Sequence, residues 1–436
     1  AIEKTIPTPN RDDKEKPLMH IARSFDINRP GTRPTKLKGG VIGGSIVRGE
    51  FKIGDEIEIG PGRKIQQGSK TRWEPIKATV TSMQGGGLAL EKMQKLILTL
   101  LTVLSFHAVA RDGIPIIFDT DFAMPPQDDA LALMLALQSQ ELDILGITTI
   151  AGNDSVERAT SDVLRMLEIA KQTQIPVYVG ADMPLVHEVS DFAISNYGQW
   201  YSNESPPTPP GGFAKKRAEV DSAVSFIVQT VMENPGEITI VALGPLTNIA
   251  QAIRARPEFA ANVKQLVIMG GAIASLPDGG GNITPNAEFN FWVDPEAARV
   301  TLRSGIPIEL SPLNVSRKSA LTKDWYEEMV AKDNVLTSLL RETLGPRFER
   351  DPERSWYMYD QIAVASLIDP SLVTTERLYV DVNIDHGISY GVSVGGDKIW
   401  PGAEAAVQMN VQHDLDWVRF IEMFIERIQR PLPDPR

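Results

Sequence analysis

The chain contains no cysteine. That excludes disulfides, thiolate metal sites and cysteine nucleophiles, and it leaves the compartment open. Histidine is scarce, with five in 436 residues. No G-x-x-x-x-G-K-[ST] phosphate loop occurs, so P-loop nucleotide chemistry is not expected. The apolar stretch Leu96–Phe106 is about 11 residues, where a bilayer span needs roughly 20. What is present is ordinary globular material, 42% hydrophobic and 23% charged. At 436 residues the chain exceeds the size at which one core keeps growing, which implies at least two domains.

Charge divides the chain. Residues 1–92 hold 17 Lys/Arg against 11 Asp/Glu, a net of +6 within a total of −12, which leaves −18 for residues 93–436. The acidic part is a poor nucleic-acid binder, because it repels phosphates rather than releasing their counterions. Between the parts, "MQKLILTLLTVLSFHAVARDG" (93–113) has the form of a signal peptide in an unusual place. Met93 is followed by basic Lys95, an apolar run, and the small-x-small sequence Ala108-Val109-Ala110. The blander reading is a buried amphipathic helix. The expected organisation is therefore 1–92, a signal-like segment 93–111, and 112–436, with a fusion joint at Lys92/Met93. Cleavage after Ala110 would place the acidic part in the periplasm or outside the cell, and retention of the leader would leave it cytoplasmic.

Residues 1–92 show Val/Ile alternating with polar residues and punctuated by Gly, as in "GGVIGGSIVRGEFKIGDEIEIGPG". That pattern reads as a small antiparallel barrel. With "KPLMHIARSFDINRPGT", it resembles the second, barrel domain of the gamma subunit of archaeal translation initiation factor two. The resemblance covers residues 5–92 and includes no GTPase domain. It implies at most a residual protein- or RNA-contacting face, with Arg23, Arg29 and Arg33 as candidates, against the alternative of a solvated basic surface.

From residue 112 short apolar runs alternate with amphipathic ones. "IPIIFD" (114–119), "LDILGITTI" (142–150), "IPVYVG" (175–180), "ITIVALG" (238–244) and "VKQLVIMGG" (263–271) read as buried strands, with helical spacing between them. The fold class is α/β, an open and mostly parallel sheet covered by helices on both faces. Ligands of such sheets lie beyond the carboxyl ends of the strands, where Asp119, Asp121, Asn153, Leu243 and Met269 fall.

"DTDFAMPPQDD" places four aspartates within eleven positions at the first strand-to-helix junction. Singly they have blander roles: Asp128 or Asp129 as a helix cap, Asn153 as a turn residue, Asp360 as a surface charge. Together the carboxylates repel unless a cation is shared, and acidic oxygens with a strand-end carbonyl suit a hard ion such as calcium.

D-T-D, D-D-A-x-A-L, "GITTIAGN", "ALGPLTNIA", "MGG", "GNITPNAEFN", "VDPEAA" and a late Asp360, in that order, resemble the inosine-uridine nucleoside hydrolase family over residues 113–430. The resemblance implies hydrolysis of the N-glycosidic bond of a ribonucleoside. It also implies Ca2+ held by Asp121, Asp129, the Leu243 carbonyl and Asp360, with Asp121 as the base acting on water. Asp128, Asn153, Asn282, Glu288 and Asn290 would hold the ribose, with Met269 and Tyr359 beside it.

Three features depart from the family pattern. The loop "FAMPPQ" is three residues longer than the usual one, the glycine loop between Met269 and Asn282 is long, and Tyr359 replaces a frequent histidine. Aromatic stacking on a purine could replace that histidine, with Tyr359, Trp356, Tyr357, Tyr197, Trp200 and Tyr201 as candidates, which leans the expectation towards purine nucleosides. His187 and His386 have no assigned place. Rival readings are an exported nucleoside-binding protein, a haloacid-dehalogenase-type phosphatase and a translation-factor fragment. A homo-oligomer is compatible with the family and untested by the sequence.

Overall fold

The computed structural model describes most of residues 41–94 and nearly all of 113–434, together with Lys16 and 18–25; residues 1–15, 26–40, 95–112, 189, 198–206 and a few others are outside it. The apolar core of the signal-like segment, Arg29 and Arg33, and Trp200 and Tyr201 all fall outside the described residues. Contacts divide the chain into two compact units, Ala1–His107 and Ala108–Arg436.

In the first unit the strands are β1 (Leu18–Phe25), β2 (Val41–Arg48), β3 (Glu50–Lys52), β4 (Glu56–Gln67), β5 (Lys70–Thr79), β6 (Met83–Gly85), β7 (Leu88–Leu90) and β8 (Lys92–Gln94). They form four antiparallel ladders, β1–β2, β3–β8, β4–β5 and β6–β7. Arg23 lies within β1. The β3–β8 ladder sets Phe51 opposite Met93, so paired strand runs across the expected joint at Lys92/Met93.

The second unit is built on one nine-stranded sheet. Its strands are β9 (Ile114–Thr120), β10 (Leu142–Thr149), β11 (Val177–Val179), β12 (Thr239–Ala242), β13 (Gln265–Met269), β14 (Ile308–Ser311), β15 (Val373–Val382), β16 (Ser393–Gly396) and β17 (Val407–Leu415). The order is β11-β10-β9-β12-β13-β14-β17-β15-β16. β9 through β14 and β17 pair in parallel, while β15 and β16 are antiparallel. The chain thus starts in the middle, walks outwards to β11, and returns to the other side of β9 at β12. At such a reversal the connections leave on opposite faces and open a crevice beyond the strand ends.

The helices that matter below are α1 (Asp128–Leu137), α2 (Val156–Ile169), α3 (Ala223–Glu233), α4 (Thr247–Ala255), α5 (Phe289–Val293), α6 (Asp360–Ile368) and α7 (Trp417–Ile428). α1, α2, α6 and α7 pack with Ile116 and Phe118 on one face of the sheet; α3 and α4 pack with Ile117 on the other. A strand buried on both faces needs an unbroken apolar run, which is why β9 reads IPIIF rather than alternating. The expectation for "IPVYVG" as a buried strand is corrected. β11 is three residues long, pairs only with β10 at the sheet's edge, and leaves Val179 37% exposed. Among the described residues no helix is long and apolar enough to cross a membrane.

A bidentate pair closes the far end of the unit, where Arg427 of α7 donates to both carboxylate oxygens of Glu141 at 2.7 and 2.8 Å. These hydrogen bonds hold Glu141 down at about pH 2. A carboxyl depressed on folding adds stability above its unfolded pKa, near 4.5, and loses it as pH falls towards the folded value. Melting temperatures of wild type and Glu141→Gln are therefore expected to differ most above pH 5 and to converge as pH falls from 4.5 towards 2.

Candidate active site

The crevice at the β9/β12 reversal is a cavity of about 230 Å³. It is lined by Asp121, Asp128, Asp129, Asn153, Leu243, Met269, Asn282, Ile283, Glu288, Phe289, Asn290, Tyr359 and Asp360. Every residue that the resemblance implied for the metal or the ribose is on that wall. Ile283 and Phe289 were not expected, although both sit inside the motifs GNITP and AEFN.

Asp121 directly follows β9 and is 1% exposed. Its Oδ2 accepts from the Asn153 N–H at 2.7 Å, while Oδ1 is buried without a hydrogen-bond partner among the described residues. Two glycines make room for this carboxylate. A Cβ on Gly152 would fall 2.1 Å from Asp121 Oδ2, and one on Gly244 would fall 2.8 Å from Oδ1. Asp129 accepts from the Thr120 hydroxyl and from Asn153 Nδ2 at 2.9 Å. Asn153 is therefore more than a turn residue, since its two N–H groups tie two carboxylates together.

Neither Asp128 nor Asp129 caps a helix. α1 begins at Asp128, and its N-cap Gln127 makes no side-chain bond. Asp360 is the first residue of α6, 2% exposed, which overturns its reading as a surface charge. The carboxylates thus sit in the first turns of two helices, where the exposed N–H dipoles favour negative charge. One oxygen from each of Asp128, Asp129 and Asp360 lies within 4.8 Å of the others.

The electrostatics are strongly unfavourable without a counter-ion. Burial pushes Asp121 and Asp360 well above the ordinary carboxylate range, and the charge on Asp129 adds to it. Asp129 is raised to about 7 by burial and then by Asp128. Burial also raises Asp128 and Glu288. A divalent cation reverses this balance by giving the carboxylates a shared opposite charge. The orphaned Asp121 Oδ1 and the three converging oxygens fit a hard, oxygen-ligated ion.

The remaining wall is built by backbone-directed bonds. Glu288 is the N-cap of α5, accepting from the N–H groups of Gly271 (2.9 Å), Asn290 (2.8 Å) and Phe291 (3.1 Å). Asn290 Nδ2 donates to the Leu243 carbonyl at 2.7 Å and to the Met269 carbonyl at 3.2 Å. A carbonyl oxygen has two lone pairs, so Leu243 keeps one for a further partner. Asn282 accepts from the Phe289 N–H at 2.9 Å. Asp119 stands apart from the cavity, bound by Thr148 Oγ1 at 2.5 Å and Asn248 Nδ2 at 2.8 Å.

Of the six aromatics expected near a base, Tyr359 alone lines the cavity among those whose side chains are described. Burial and then the neighbouring Asp128 raise its phenol to about 12, so it stays protonated. Trp356 instead packs edge-on to Phe348 in the core, and Tyr357 is 47% exposed. His187 contacts Trp292 and Tyr390, and His386 stacks on Tyr390; neither lines the cavity.

Known proteins share this fold. A plant nucleoside hydrolase of known structure aligns over 73% of this chain and 99% of its own, with 32% identity and a TM-score of 0.62. A purine-preferring ribonucleoside hydrolase from Gardnerella vaginalis aligns over 72% and 98%, with 27% identity and a TM-score of 0.60. Residues 116–422 match the model of the inosine-uridine preferring nucleoside hydrolase family, and the chain belongs to that family. A relative from Salmonella paratyphi A, a pyrimidine-specific ribonucleoside hydrolase named RihA, is 35% identical over 322 residues, 73% of this chain and 99% of its own. The family places the chain among hydrolases of N-glycosyl compounds and, over residues 116–422, sets aside the phosphatase reading.

Gly152→Ala forces a methyl group against the Asp121 carboxylate. Overpacking of this kind costs about 1–3 kcal/mol, so the variant is expected to unfold at lower urea concentration than wild type, with an unchanged m-value.

Proposed function

We propose that the chain hydrolyses ribonucleosides to free base and ribose, with calcium held by Asp121, Asp129, the Leu243 carbonyl and Asp360. The observation that carries this reading is the buried carboxylate cluster, with Asp121 Oδ1 unpartnered at the crevice. A bound calcium ion would supply positive charge that lowers the pKa of an attacking water and orients neighbouring oxygens.

The chain's own groups do the rest. Asp121 is fixed by the Asn153 N–H and leaves Oδ1 to accept a proton from water as the C1′–N bond breaks. The new C1′–O bond forms as the base departs with the bonding electron pair. Asp128, Asn153, Asn282, Glu288 and Asn290 surround the sugar with acceptors and amides. Fixed dipoles and carboxylates of this sort stabilise the positive charge that develops on the sugar ring. An activated water rather than a covalent sugar–enzyme intermediate corresponds to the inverting arrangement. Tyr359 places an aromatic face and a protonated hydroxyl at the cavity wall, where the family frequently has histidine.

The purine lean stays open. Of the six aromatics it rested on, Tyr359 is on the wall, while the side chains of Tyr197, Trp200 and Tyr201 lie outside the described residues; one relative is named pyrimidine-specific and one solved neighbour purine-preferring. What the residues support is recognition of ribose, and the ratio of inosine to uridine turnover decides the base. A ratio above one supports the purine preference.

Asp121→Asn separates chemistry from folding. The variant removes a buried, repelled charge and keeps the size of the side chain. Its turnover is expected to fall by several orders of magnitude, while the melting temperature of the metal-free protein equals or exceeds wild type. Near-normal turnover would sink the assignment of Asp121 as the base.

A further inference from the structure

The segment Phe122–Gln127 joins Asp121 to Asp128, so its path sets the distance between the carboxylates at its two ends. Phe122, Ala123 and Met124 are buried, at 0%, 3% and 2% exposure. Buried backbone must find hydrogen-bond partners. For Met124 those partners are side chains of α2. Its N–H donates to Asp162 Oδ2 at 2.8 Å, and its carbonyl accepts from Arg158 Nη2 at 3.0 Å.

Arg158 and Asp162 fall four residues apart on one side of α2, and Asp154 lies just before the helix's N-cap, Ser155. Arg158 also donates to Asp154, and its Nε lies 3.6 Å from Asp162. Asp154 in turn holds its own turn closed, its carbonyl accepting from the Gly152 N–H at 3.0 Å and its Oδ1 accepting from the Ser155 N–H at 2.8 Å. The residue between, Asn153, binds Asp121 and Asp129. The bonds therefore form a circuit: Asp121, the loop at Met124, Arg158 and Asp162, Asp154, Asn153, and back to Asp121 and Asp129.

We propose that Arg158 and Asp162 are positioning residues that hold the Phe122–Gln127 loop on α2 and so set the spacing of the metal-binding carboxylates. The proposal rests on the calcium reading above. A six-residue connection with buried Met124 has both of that residue's backbone polar groups satisfied by this one helix. Removing Arg158 leaves the Met124 carbonyl without its donor and Asp162 without its positive neighbour. The loop then relaxes, and Asp121 moves relative to Asp129, the proposed ligand at the start of α1. Partners beyond the ligands themselves commonly govern metal affinity in this way.

The test measures calcium binding by isothermal titration calorimetry on the full chain freed of metal, in wild type, Arg158→Met, Asp162→Asn and Asp162→Leu. Circular dichroism checks folding, and kcat is read at saturating calcium. Arg158→Met and Asp162→Leu are expected to raise the calcium dissociation constant roughly 10- to 100-fold. Their kcat should largely recover once the metal site is filled. Asp162→Asn keeps an oxygen acceptor for the Met124 N–H and is expected to bind calcium much nearer to wild type than Asp162→Leu does. A merely structural role would lower the melting temperature of the metal-free protein and leave the dissociation constant unchanged. If Arg158→Met does not fold, the Asp162→Leu and Asp162→Asn pair carries the same comparison. Equal calcium affinity in wild type and in the folded variants overturns the proposal. Wild-type protein that binds no calcium overturns the metal reading itself, and the proposal with it.

Discussion

Repulsion among buried carboxylates is the constraint on which the second unit turns. Asp121, Asp129 and Asp360 are each no more than 2% exposed, and Asp128 is half-buried against them. Burial holds all four above the normal carboxylate range, and mutual charge adds to it at Asp121, Asp129 and Asp360. A protein conserves such an arrangement only at a net cost in folding stability unless a ligand offsets it, and a divalent cation offsets it directly. The sheet places the four together. β9 lies at the point where the strand order reverses, so the residues after β9 and β12 face one crevice, and the first turns of α1 and α6 bring Asp128, Asp129 and Asp360 to it.

Everything around the cluster holds those carboxylates close without letting them collapse or spread. Gly152 and Gly244 leave the volume that Asp121 fills. Asn153 and Thr120 supply donors to both oxygens of Asp129 and to Asp121 Oδ2, and Asp121 Oδ1 has no partner among the described residues. Both long loops are tied down by an arginine bound to backbone carbonyls. Arg158 takes Met124, while Arg317 donates to the carbonyls of Asp278 and Gly281 in the loop that carries Asn282. Asn314 adds bonds to the carbonyls of Ile273 and Pro277. The two departures from the family's loop lengths are therefore anchored segments of the site.

Much of this was legible in the sequence, for a physical reason. Carboxylates at strand ends, a backbone carbonyl at Leu243 and short glycine motifs are local features, and an open parallel sheet gathers strand ends at one rim. Residues at those ends are therefore brought together without any long-range detail being known. The Arg158–Asp162 clamp was not legible, because it bonds residues 34 and 38 positions away and depends on how α2 lies beside the loop. Nor could the sequence tell which aromatics face the cavity. Trp356, four residues before Asp360, packs edge-on against Phe348 instead. The edge position of β11 likewise depends on what pairs with it, which its apolar letters do not encode.

The central claim is that this carboxylate site works on a ribonucleoside only with a divalent cation in place. The most direct measurement is release of free ribose from uridine and inosine by the full chain, after treatment with a chelator and again after calcium is restored. The account expects release from at least one nucleoside, its loss in chelator, and its return with calcium. Undiminished release in chelator, or no release from either nucleoside under any condition, would contradict it.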